Sequence, residues 1–187
     1  MQDKYRVFCA LFETAECHIK AFEKLEFEPC IPAINQLRYA ACHLKRSFQQ
    51  DDPLKESECI KSAERHCQRA IKDVTEAAID YVTTWVDEFE HGFMYVPISE
   101  EIPNHNELKT KLREAMDFVT SYNHDETEDA TGRLEQYMKD VMAIQRCYEA
   151  GQDGLAKRVR IVRWKVLGAI FGMLLGLAGL VVHFCKP

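Results

Sequence analysis

Residues 51–93 read DDPLKESECIKSAERHCQRAIKDVTEAAIDYVTTWVDEFEHGF, and their spacing sets the architecture. Ala63, Cys67, Ala70, Val74, Ala77, Tyr81, Trp85 and Phe89 recur at steps of three and four, the period of one helix face. Asp52 is placed to cap the first turn. Pro53 falls at the first helical position, where a missing N–H costs nothing. So long an amphipathic helix is stable only when other apolar faces cover its stripe.

Those faces lie on both sides of it in the chain. Upstream, Tyr5, Phe8, Phe12, Ala15, Ile19 and Phe22 form a heptad-like seam on a first helix. Pro29 and Pro32 end it. A second helix is expected from about Ala33 to Gln49, with Ile34, Leu37, Ala41, Leu44 and Phe48 on one side. Downstream, 91–103 is a loop bounded by Gly92, Pro97 and Pro103. Asn104 and Glu107 make a capping box for a fourth helix, to about Tyr122. A polar turn over 123–129 leads to a fifth helix through 146–148, and Gly151 and Gly154 flank a short break after it. No segment alternates as a strand does. The expected fold class is all-α, an antiparallel helical bundle over residues 1–150.

The chain has 187 residues and a net charge of −6. That average hides a division. Lys157, Arg158, Arg160, Arg163 and Lys165 form a basic collar, and Lys186 is the one charge after it. Residues 1–156 then hold 18 basic against 30 acidic groups, a net of −12. An acidic body excludes non-specific wrapping of nucleic acid. There is no glycine-rich phosphate loop, HExxH, GxSxG or paired CxxC.

After the collar, residues 166–182 read VLGAIFGMLLGLAGLVV, without a charge. A single transmembrane helix is expected over 166–184, with the lipid bilayer as its partner, 151–165 as a basic juxtamembrane linker and Trp164 at the interface. The positive-inside tendency leaves the body cytoplasmic. With no signal peptide at the start, this is a tail-anchored, single-pass layout in the inner membrane. Gly168, Gly172, Gly176 and Gly179 line one stripe of that helix, a helix-packing surface suited to a homo-oligomer.

Cys9, Cys17, Cys42, Cys59, Cys67 and Cys147 are scattered over the expected helices and read as small apolar residues in a reducing compartment. Cys42-His43 and His66-Cys67 are adjacent pairs whose side chains diverge, so no metal site and no cofactor is expected.

One cluster carries chemistry. The second helix contains Arg38-Tyr39-Ala40-Ala41-Cys42-His43, and the third contains Glu64-Arg65-His66-Cys67-Gln68-Arg69. Arg38 and His43 resemble the R-x(4–6)-H signature of HEPN domains, helical bundles of bacterial defence systems, several of them ribonucleases. The resemblance covers about residues 33–95. It implies that Arg38 holds a phosphate and that His43 exchanges a proton, at a site where two such helices meet across a dimer. Five steps on a helix turn by about 140°, so Arg38 and His43 do not share a face within one helix. Residues 36–72 hold eight basic and five acidic groups, and Lys45, Arg46, Arg65 and Arg69 form a candidate patch for RNA or a protein partner.

A HEPN-like bundle joined to one membrane helix is similar to the small membrane accessory protein of type VI CRISPR systems. That resemblance implies an oligomeric, pore-forming effector that permeabilises the inner membrane during phage infection, with an RNA-guided complex as a partner. Two other readings stand beside it: a membrane-tethered ribonuclease using Arg38 and His43, and a non-catalytic tail-anchored adaptor. No small-molecule substrate is evident.

Overall fold

The computed structural model describes residues 3–122 and 128–184, with side chains for 4–122 and 130–176. Among these residues every long element is a helix: α1 (Arg6–Glu26), α2 (Ile31–Ser47), α3 (Pro53–Gly92), α4 (His105–Ser121) and α5 (Glu128–Phe184). The all-α expectation holds.

α3 is the spine. Its 40 residues extend about 60 Å. Its start follows the local chemistry: the Asp52 carboxylate accepts from the Leu54 N–H at 2.9 Å, with Pro53 opening the helix. Ala70, Ile71, Val74, Ala78, Ile79 and Val82 are wholly buried. α1 and α2 pack on the N-terminal half of the spine, and α4 and α5 complete the core with Leu112, Val119, Leu134, Val141 and Ile144. A second, smaller cluster of Phe8, Ala40, Ala63 and Cys67 joins α1, α2 and α3 near the site described below. Burial pushes the Cys67 thiol up to about 12, so it stays neutral. Of the six cysteines assigned to helices from the sequence, only Cys67 is buried; Cys9, Cys17, Cys42 and Cys147 are exposed, and all four are free.

Two local expectations fail for identifiable reasons. Asn104 takes a left-handed conformation (φ 58°) and makes no side-chain cap, so the expected capping box is absent. Glu107 instead pairs with Lys111 one turn on, at 3.3 Å. At 151–154 there is no break: α5 runs straight through, and its glycines let the 98–102 segment lie against it. A Cβ on Gly151 would stand 2.8 Å from Ile102 Cγ1, and one on Gly154 would strike the Glu101 carboxylate. Arg158 fastens the same segment by pairing with Glu100 and Glu101.

The expected membrane-spanning helix over 166–184 is overturned: among the described residues, no helix is long and apolar enough to cross a membrane. The tail anchor and the single-pass inner-membrane location fall with it. Gly168, Gly172 and Gly176 stand in open space: a Cβ added at any of them would meet nothing within 4 Å. Side chains from 177 onward, Gly179 and Cys185 included, lie outside the described residues.

Candidate functional site

The α2–α3 pair is joined by a short turn and runs antiparallel, so side chains one turn apart on α2 meet a single residue of α3. That residue is His66. The His43 ring lies over it with centroids 5.2 Å apart and planes inclined by 23°. Tyr39, one turn before His43, contributes its ring at 5.6 Å. Gln36, a further turn back, places its side-chain oxygen 2.8 Å from His66 Nδ1. Gln36, Tyr39 and His43 thus form a 3–4 stripe on α2 that frames one imidazole.

The electrostatics follow from this position. His66 is held below its ordinary range, first by burial and then by His43, Arg69 and Arg65. It is therefore neutral at pH 7 and has a lone pair to offer. Tyr39 is exposed, whereas His43 and His66 are half-buried.

Several candidates from the sequence stand elsewhere. Arg38 is exposed and donates to Asn35 Oδ1 at 3.2 Å; the structure sets His43 against His66 and not against Arg38. Arg65 donates to Ser62 Oγ at 3.1 Å, and Arg69 is half-buried beside His66. Lys45 and Arg46 are exposed at the end of α2, where the Arg46 carbonyl accepts from Gln50 at 3.4 Å. Among the described residues, no group of three or more His, Cys, Asp or Glu side chains is arranged to hold a metal. Sequence reasoning named His66 within the α3 cluster but gave it no catalytic role, and it missed Gln36. The signal was present: stepping along α2 by three and four from His43 reaches Tyr39 and Gln36, and His66 adjoins the buried Cys67 on α3.

Two further polar centres belong to the body. Glu90, near the end of α3, accepts from His105 Nε2 and Lys109 Nζ, each at 2.7 Å, and from Tyr148 Oη at 2.9 Å. This carboxylate ties α3, α4 and α5 together.

His18 is the other. It lies on a groove of about 610 Å³ between α1 and α5, with Cys17, Met138, Lys139 and Met142 among its walls, and its Nδ1 is 3.3 Å from Thr75 Oγ1. Burial, assisted by Lys139, lowers it to about 4 from 6.5. Above pH 6.5 the folded and unfolded chains both carry a neutral ring. Between 6.5 and about 4 only the unfolded chain takes up the proton, so stability falls as pH drops and levels off below 4. The loss amounts to about 3 kcal/mol. Urea unfolding at pH 7 and pH 4 measures it: His18→Gln, which retains a partner for Thr75, is expected to lose that much less than the wild type across the interval.

Comparison with known proteins finds no family model, no curated protein and no solved structure that matches this chain. What points to a function is the chemistry of the site.

Proposed function

We propose that the chain is a ribonuclease that binds single-stranded RNA on its α2–α3 face and cleaves it without a metal, at His43 and His66. The stacking of two imidazoles on a half-exposed surface, beside an exposed tyrosine and two arginines, carries this reading. Imidazole exchanges protons near neutral pH and is the commonest general acid or base. Guanidinium groups hold phosphate in a fixed fork. An exposed aromatic ring stacks on a splayed base, which single-stranded RNA supplies and a duplex does not.

Arg38, about 140° around α2 from His43 and bonded to Asn35, lies off this surface, so Arg65 and Arg69 are its phosphate-binding groups. The local excess of three positive charges over 36–72 within an acidic body predicts modest, salt-sensitive affinity. The test is cleavage and retention of a labelled single-stranded RNA by the purified chain. His43→Ala is expected to slow cleavage about a hundredfold while leaving binding within a few-fold. Arg69→Ala is expected to weaken binding and flatten its salt dependence. If the wild-type chain leaves RNA intact, the ribonuclease reading is wrong.

A further inference from the structure

We propose that His66, oriented by Gln36, is the general base of this reaction and that His43 is its acid, so that one chain carries both proton-transfer groups. The inference rests on the ribonuclease reading but makes a separate claim, since a site shared across two copies would not need His66.

A hydrogen bond sets the tautomer. The Gln36 side-chain oxygen can only accept, and it lies 2.8 Å from His66 Nδ1. Nδ1 therefore carries the hydrogen, and Nε2 is left with the lone pair, which is the tautomer a base requires. The surroundings keep it that way. The charged or titratable groups around His66 are His43 and Tyr39 on α2 and Arg65 and Arg69 on α3. Both arginines oppose a proton on His66, as does its burial.

The rings are stacked with centroids 5.2 Å apart, and the proposal places one phosphodiester across their edges. The step then balances. His66 Nε2 takes the proton of a ribose 2′-OH, and the 2′ oxygen bonds to phosphorus. The bond from phosphorus to the 5′ oxygen breaks, and that oxygen receives the proton of the His43 imidazolium. The products are a 2′,3′-cyclic phosphate and a 5′-OH, and water returns both rings to their starting states. Gln36 touches no reacting atom and is a positioning residue.

The test combines rates with a spectroscopic signature on the full chain. His66→Ala is expected to lower kcat about a hundredfold with KM within threefold, and to keep the wild-type far-UV circular dichroism. Gln36→Ala is expected to lower kcat about tenfold. Gln36→Glu keeps the acceptor, so it should restore most of the rate. Its negative charge favours the imidazolium, so the acid limb of the pH profile should move upward. Nitrogen NMR of the histidine rings at pH 7 is expected to show His66 neutral with its hydrogen on Nδ1, and Gln36→Ala is expected to mix the tautomers. Cleavage that survives His66→Ala, or a His66 hydrogen found on Nε2, overturns the assignment of the base alone. Absence of cleavage by the wild-type chain overturns both this inference and the function it rests on.

Discussion

Ile79→Ala is expected to lower the unfolding free energy by about 4 kcal/mol, the upper part of the range for emptying a fully buried aliphatic site. Ile79 is 0% exposed and lies in the middle of the spine, within the core shared by all five helices. Three methyl or methylene groups are removed, and the contacts around them belong to different helices. The void cannot close by shifting one neighbour without pulling it away from another, so the cavity persists and its cost adds to the lost transfer free energy. Urea unfolding followed by circular dichroism measures the effect. The midpoint should fall while the slope is unchanged, because the native surface is preserved. Ile161→Ala is the control. Ile161 is 46% exposed on α5, and its loss should change stability by no more than about 0.5 kcal/mol.

The second large effect is at Glu90. Replacing it by alanine is expected to cost about 3 kcal/mol, chiefly because it orphans a partner. Tyr148 is 0% exposed, packs against Trp85 and Phe89, and places its hydroxyl on the Glu90 carboxylate. Without Glu90 that hydroxyl is left among aromatic rings with no acceptor. His105 and Lys109 lose the same anchor, which frees the start of α4. A double variant separates these contributions. Tyr148→Phe removes the orphaned hydroxyl, so Glu90→Ala in that background should cost about 1 kcal/mol less.

Acid should reproduce part of this effect. Burial alone would push the Glu90 carboxyl up, but its three donors outweigh burial and hold it below the usual carboxylate range. Its contribution is therefore present above the ordinary carboxylate range and is lost as pH falls through the lowered folded value.

Much of the fold was legible because helical periodicity is a local property. The 3–4 recurrence from Ala63 to Phe89 needs no partner to be read, and Asp52-Pro53 marks its start through backbone chemistry alone. Glycine misled where its role depends on what approaches it. Gly151 and Gly154 read as a break, but they are close-approach points for Glu101 and Ile102, some fifty residues away in the chain. The apolar run after Lys165 misled differently. Its composition was read correctly, but the length and charge-free margin a membrane span requires are not met among the described residues.

The site divides along the same line. His43 drew attention through its spacing from Arg38, yet these two diverge around α2, and the ring that meets His43 comes from α3, 23 residues later. Spacing along one helix fixes which residues share its face; it carries no information on the register at which a second helix is laid against that face. Periodicity and the Asp52-Pro53 start were enough to name α1 to α4 and the apolar stripe of α3, and the charge count named the acidic body. The meeting of His43, Tyr39 and Gln36 around His66, the three-helix anchor at Glu90 and the unbroken course of α5 came from packing, because each depends on side chains brought together by burial across helices and not by neighbouring positions in the chain.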